Sequence, residues 1–163
     1  MNIITEIKPK LENNNKIKNF LNFHWGSSYI ASKGKLTDAS KISRVMVKDK
    51  GGDIVGLATF LISTKDNSCE LVSIDAKVRG NGIGTKMIKT VEETVKGSGA
   101  KKVWLITTND NYEAAIFYIK KGYRLVKVHK DALDISRKLK PQIPLKGKHN
   151  IFLKDEWEFE KLL

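Results

Sequence analysis

Apolar residues recur at several spacings along this chain, and each spacing predicts a different element. Ile3, Ile4 and Ile7 mark a short first strand. Ile17, Phe20, Leu21 and His24 fall three and four apart, which predicts an amphipathic helix. Asn13, Asn14 and Asn15 stand where such a helix would start and be capped. Residues 26–43 mix Gly, Ser and Lys and read as an irregular connection, with a brief strand at most around Tyr29, Ile30 and Ala31. Residues 44–48, 54–63 and 69–76 then read as three strands. Their turns lie at 49–53, where paired glycines tolerate positive φ, and at 64–68, so the three form an antiparallel meander.

Beyond residue 80 the period changes. Ile83, Met87, Ile88, Val91 and Val95 line one face of a helix that ends near Gly97 and Gly99. Residues 103–107 are a compact apolar strand of the buried type. Residues 111–121 read as a helix stopped by Gly122, and 123–128 as another strand. A β-α-β-α-β series after an antiparallel start predicts an α/β fold: one mixed, mostly antiparallel sheet with helices on both faces. In the tail, a short helix fits 131–138, Pro141 and Pro144 enforce an extended loop, 151–153 fits an edge strand, and 155–160 is acidic. No internal repeat and no linker rich in Pro, Gly or Ser divides the chain, which predicts a single domain over 1–163.

Composition narrows the function classes. A length of 163 residues with 40% hydrophobic positions suits one domain with a real core rather than a disordered chain. One Cys excludes a disulfide framework. His24, His129 and His149 are far apart, and no Cys/His cluster has zinc spacing, so no metal is expected. No apolar run approaches the roughly 20 residues that span a bilayer. The N-terminus reaches charge too early for a signal peptide, which predicts a soluble cytoplasmic protein with no membrane partner and a reduced Cys69. The net charge of +12 comes from 26 Lys but only four Arg. Scattered lysines make a solvated basic surface, weakly attractive to polyanions and phosphorylated cofactors, and no specific nucleic-acid partner is expected.

The chemistry concentrates in Arg79-Gly80-Asn81-Gly82-Ile83-Gly84, between a strand and a helix. Three glycines let the backbone turn tightly and approach a ligand. Amides at the following helix start carry partial positive charge, so together they form an anion cradle suited to a pyrophosphate. No Gly-Lys-Ser/Thr follows, so this is no Walker loop, and the alternating glycines do not fit the dinucleotide spacing. One strand downstream stands Asn111, then Ala114 three later, Tyr118 seven later, and Gly122-Tyr123 at eleven and twelve. Together with Arg79-x-x-Gly82-x-Gly84, this closely resembles the paired signature of the GNAT superfamily of acyl-CoA-dependent N-acetyltransferases. The two motifs and the strands between them span about 69–128, the expected cofactor-binding core, with a C-terminal tail at about 131–163. His24-Trp25-Gly26, residues 107–111, Ser136-Arg137, Lys140-Pro141, Ile143-Pro144 and Asp155-Glu156 further resemble a bacterial subgroup of undefined substrate.

That resemblance implies a GNAT fold and acetyl transfer from acetyl-CoA, as cosubstrate, to an amine on a small molecule or peptide, by direct attack in a ternary complex. It implies that Arg79, Gly80, Asn81, Gly82, Ile83, Gly84 and Thr85 hold the cofactor's pyrophosphate, chiefly through main-chain amides. Ile74 and Asp75 lie beside the pantetheine arm, although Ile74 also suits core packing. Asn111 contacts the pantetheine or caps its helix, with Ala114 beside it. Tyr118 is the implied general acid for the departing thiolate, a phenol being a suitable donor, although the same spacing suits a core aromatic. Glu70 is the implied base; on a regular strand it shares a face with Val72 and Ile74, where apolar neighbours raise a carboxyl pKa, while the plainer reading is a surface Glu. Asp75 and the acidic residues 155–160 compete for that role, and the short link from Asp75 to Arg79 departs from many relatives. His24 and Trp25 fit core packing or one acceptor wall. The acidic tail fits a solvated face or a cleft for a cationic amine. Dimers are common in the family, which leaves a homodimer open. The alternative function is a non-catalytic CoA-binding regulatory module on the same fold.

Overall fold

The computed structural model describes residues 1–7 and 14–163; of the three asparagines expected to start and cap the first helix, Asn13 lies outside the described residues, while Asn14 stands at the cap position with no side-chain hydrogen bond to the helix and donates instead to the Ser40 carbonyl at 2.9 Å. The strands are β1 (Asn2–Glu6), β2 (Tyr29–Ser32), β3 (Lys35–Asp38), β4 (Ser43–Lys48), β5 (Ile54–Ser63), β6 (Ser68–Ala76), β7 (Lys102–Thr108), β8 (Arg124–His129) and β9 (Glu156–Leu162). The helices are α1 (Asn15–Trp25), α2 (Ile83–Gly97), α3 (Tyr112–Lys120) and α4 (Ala132–Leu139). Seven strands form one sheet in the order β1-β4-β5-β6-β7-β9-β8, and β2 pairs with β3. The chain divides into two compact units, residues 1–30, 38–103 and 163 in the first, and 31–37 with 104–162 in the second.

In the first unit, β1, β4, β5 and β6 pair antiparallel in turn. Helix α1 buries Ile17, Phe20 and Leu21 in a cluster with Met46, Ile54 and Leu57, the stripe its periodicity marks. Helix α2 buries Ile83, Met87, Ile88, Val91 and Val95. The two helices use opposite faces of the sheet. Leu57 packs toward α1, whereas a Cβ built on its neighbour Gly56 would point at α2, 2.5 Å from Ile83 Cγ2 and 3.0 Å from Met87 Sδ. Gly56 is therefore required by close helix–strand approach. Gly56→Ala is expected to destabilise the chain by about 1–3 kcal/mol through overpacking, read as a lower denaturation midpoint with an unchanged slope.

Strand β6 is not regular. Thr59 pairs with Ser73 but Phe60 pairs with Leu71, so β6 carries one extra residue at a β-bulge. Cross-strand partners share a face. Glu70, Ser73 and Asp75 pair with Leu61, Thr59 and Leu57, and so lie on the α1 face; Ile74 pairs with Ala58 and lies on the other. The expectation that Glu70 and Ile74 share a face fails here, because a bulge reverses the alternation. The Thr59 and Ser73 hydroxyls meet at 2.7 Å, buried on that same face.

In the second unit, β8 and β9 pair antiparallel, with a register shift between Leu125 and Lys127. The acidic run is neither a loop nor a solvated face: it is β9, with Glu156 only 1% exposed. Glu156 accepts hydrogen bonds from the Lys33 N–H at 2.8 Å and the Ser136 hydroxyl at 3.0 Å. Glu158 accepts from Lys33 Nζ at 3.0 Å and lies 2.6 Å from His129 Nε2. Burial pushes the Glu158 carboxyl up, but those two partners outweigh it and hold the group below its ordinary value. Lys33 and Gly34, both at positive φ, turn the β2–β3 hairpin; β2 is the brief strand expected around Tyr29, Ile30 and Ala31, and β3 lies in the stretch expected to be irregular. The expected edge strand at 151–153 is reduced to one isolated bridge, Phe152 with Lys146.

The segment before α3 anchors the tail. The Asp110 carboxylate accepts from the Thr108 hydroxyl and, at 2.7 Å, from the Lys148 N–H. Asn109 donates to the Phe152 carbonyl at 2.9 Å and accepts from the N–H groups of Lys154 and Asp155. The Arg137 guanidinium donates to the Pro144 and Leu153 carbonyls. The weaker subgroup motifs of residues 107–111, Ser136-Arg137 and Asp155-Glu156 thus share one structural task, which spacing alone does not reveal.

Candidate active site

The glycine loop leaves β6 in the first unit. Lys77 N–H returns to the Val55 carbonyl at 2.9 Å, which ends the ladder and releases the chain into residues 78–82. Gly80 and Gly82 have φ of +81° and +79°, a region that L side chains rarely occupy, and Gly82 caps α2. Arg79, Gly80, Asn81 and Gly82 are exposed, as is Thr85, while Ile83 is buried against the sheet and Gly84 is half-buried. Asn81 accepts from the Ile83 N–H at 3.3 Å. The first turn of α2 holds no acidic side chain, so nothing on it competes with an arriving anion. Glu70, Ile74 and Asp75 are half-buried on β6.

The Asp75 side chain has a role that spacing missed. Its Oδ2 accepts a 2.5 Å hydrogen bond from Trp25 Nε1, and its Oδ1 lies 3.9 Å from His24 Nδ1. Fifty residues separate these partners in sequence. The available signal was a polar His24 on the apolar stripe of α1.

In the second unit, Asn111 caps α3, accepting from the Ala114 N–H at 3.4 Å and from Lys148 Nζ at 2.6 Å. The capping reading of Asn111 is therefore realised. Ala114 is half-buried one turn before Tyr118. Tyr118 is 8% exposed, with ring centroids 5.4 Å from Phe117, 5.9 Å from Tyr123 and 6.1 Å from Phe159.

Cys69 is fully buried, and burial pushes its thiol up to about 12. A neutral, sealed thiol is a poor nucleophile. The native chain is expected to resist a thiol-specific alkylating reagent near pH 8 and to react once unfolded; fast native labelling would contradict this burial. Among the described residues, no group of three or more His, Cys, Asp or Glu side chains could hold a metal ion, and no helix is long and apolar enough to cross a membrane.

Comparison with known proteins decides the family. The model of the acetyltransferase (GNAT) family matches residues 12–123. The chain belongs to the GNAT acetyltransferase family. A relative in sequence is the uncharacterized protein YdhI of Bacillus subtilis, 34% identical over 147 residues that cover 90% of this chain and 91% of that one. In structure the chain is similar to the IAA acetyltransferase from Bacillus cereus, with a TM-score of 0.72 at 20% identity, covering 99% of this chain and 98% of that one. It is also similar to a GNAT family acetyltransferase from Elizabethkingia anophelis with acetyl-CoA bound, with a TM-score of 0.68 at 16% identity, covering 99% and 97%. These likenesses establish the GNAT fold, an α/β architecture with a mixed seven-stranded sheet flanked by helices.

Proposed function

We propose that this GNAT chain, acting as one domain, transfers the acetyl group of acetyl-CoA to an amine by direct attack in a ternary complex. The observation that carries the reading is the loop 79–84, whose two positive-φ glycines precede a helix start free of acidic side chains. Its amides suit a pyrophosphate, with Arg79 adding a charged donor and Thr85 following in the first turn. Ile74 and Asp75 offer main-chain groups to the pantetheine arm, and Asn111 and Ala114 line the same arm at the start of α3.

Tyr118 supplies the proton for the departing thiolate. Glu70, or a water it orients, takes a proton from the amine, because only a neutral nitrogen has the lone pair to attack. Asp75, on the same face of β6 as Glu70, is the competing carboxylate. Bringing amine and thioester together removes the entropic cost of their encounter, and amides aimed at the carbonyl oxygen stabilise the charge it gains. The acceptor is a small-molecule or peptide amine.

The test is acetyl-CoA turnover, read as free thiol release, across amino acids, polyamines, aminoglycosides and peptide N-termini. Release with one amine class, with the acetylated product found by mass spectrometry, supports the reading. Tight acetyl-CoA binding with no release on any amine favours the regulatory module instead.

A further inference from the structure

The tail reaches back to the start of α3, within the second unit. Gly147 N–H donates to the Ile151 carbonyl and Leu153 N–H to the Leu145 carbonyl, each at 2.9 Å, so residues 145–153 form a closed strap. Two features fix that strap on Asp110, which is only 4% exposed. The Lys148 N–H donates to Asp110 Oδ2 at 2.7 Å, and a Cβ built on Gly147 would overlap the same oxygen. His149 and Asn150 hold φ of +55° and +58°, a region that non-glycine residues rarely adopt. The Lys148 side chain therefore leaves the strap from a backbone held at a buried anchor.

From that anchor Lys148 Nζ reaches Asn111 Oδ1 at 2.6 Å and Glu113 Oε2 at 3.5 Å. The Asn111 oxygen also accepts the Ala114 N–H, but at 3.4 Å, the long end of a hydrogen bond. The cap alone holds the carboxamide loosely, and Lys148 is its closer partner. These contacts also decide which way the amide is turned. An ammonium and a main-chain N–H only donate, so the atom they share is the oxygen. Its two lone pairs are then taken. What Asn111 retains is its NH₂ group, and among the described residues Nδ2 makes no hydrogen bond. The lysine is also unusually placed. A helix start carries partial positive charge, which opposes an ammonium. Glu113 in the first turn offsets this only weakly, because its carboxylate is about half exposed. A cation held against the dipole calls for a task beyond stability.

We propose that Lys148 is a positioning residue for the acyl-CoA arm: by holding Asn111 Oδ1, it commits the Asn111 NH₂ group to donate to a carbonyl oxygen of the pantetheine. The inference deepens the acetyl-transfer reading and rests on it. Capping and cofactor contact then cease to be alternatives for Asn111, since the oxygen serves the helix and the nitrogen serves the ligand. A pantetheine N–H is excluded as the partner, because it would meet another donor. Lys148 touches no part of the ligand and acts through Asn111.

The test compares the full chain with Lys148→Met, which keeps an apolar stem and removes the ammonium. Each is titrated with acetyl-CoA and with phosphoadenosine diphosphate, which carries every phosphate of the cofactor and no pantetheine arm. Lys148→Met is expected to bind acetyl-CoA about three- to tenfold more weakly, the scale of one misdirected hydrogen bond, and the fragment within about twofold of the parent. The Asn111 side-chain amide signals, assigned by their loss in Asn111→Asp, are expected to move in the parent on saturation with acetyl-CoA and to move less in Lys148→Met. Equal acetyl-CoA affinity in the two chains overturns the proposal. An equal loss for both ligands in a folded variant also overturns it, marking Lys148 as a direct phosphate contact. The parent spectrum decides even where Lys148→Met does not fold: saturable acetyl-CoA binding with unmoved Asn111 amide signals sinks this inference and spares the transfer reading. A parent that binds no acetyl-CoA sinks the transfer reading, and this inference with it.

Discussion

Tyr118→Phe is expected to lower acetyl transfer by about a hundredfold or more while acetyl-CoA affinity changes by less than about threefold. The size follows from the role: a positioned general acid contributes about 10²–10⁴ in rate. The selectivity follows from the packing. Tyr118 sits in a ring cluster with Phe117, Tyr123 and Phe159, and Phe keeps the ring and loses only the hydroxyl. The fold should therefore survive, which circular dichroism and a melting curve would check. A Tyr118 that only packs would leave the turnover of Tyr118→Phe unchanged. Measured as thiol release on an accepted amine, the ratio of the two rates separates the two roles in one experiment. A large fall in turnover with a large rise in KM for acetyl-CoA would instead assign the hydroxyl to ground-state binding.

Glu156→Ala should show a large loss of stability, centred on the second unit. The carboxylate is 1% exposed and satisfies the Lys33 N–H and the Ser136 hydroxyl at once. Removing it leaves two donors inside without acceptors, each costing about 1–3 kcal/mol, so a loss of roughly 2–6 kcal/mol is expected. For a chain of this length that lowers the melting temperature by about 4–24 °C. Glu156→Gln keeps one carbonyl acceptor but places an NH₂ group against the other donor, and should fall between the parent and the alanine variant. A Glu156→Ala variant as stable as the parent would show that the β2–β3 turn is not held through this residue.

The parts of the fold that rest on local period were legible. Ile83, Met87, Ile88, Val91 and Val95 announce α2 because a helix must repeat its apolar face every three or four residues. The turn at 49–53 announces the β4–β5 hairpin through its glycines. The paired motif of loop 79–84 and Asn111, Ala114, Tyr118 and Gly122 gave the family, because each position is tied to a backbone or side-chain task at fixed spacing.

What was missed depends on partners distant in sequence. The β2–β3 turn uses Lys33 at positive φ, and lysine is no turn signal; its conformation is held by Glu156, far along the chain. Strand β9 alternates Glu with Trp and Phe, which reads as an acidic segment until Ser136, Lys33 and His129 are seen to satisfy the carboxylates. The bulge in β6 is a register event between two strands, invisible in either alone, yet it decides that Glu70 shares a face with Asp75 and not with Ile74. The hydrogen bond from Trp25 to Asp75 likewise joins two elements that no spacing connects.

Acetyl transfer by this chain requires first that it bind acetyl-CoA. Calorimetric titration of the purified chain with acetyl-CoA is the most direct measurement. Saturable binding at one site per chain is expected, weakened by salt as for a ligand held by its phosphates, and weakened again in Gly82→Val, which forces a branched side chain onto a φ of +79° in the loop. No saturable binding at millimolar acetyl-CoA, in a chain shown to be folded, would contradict the proposed function at its root.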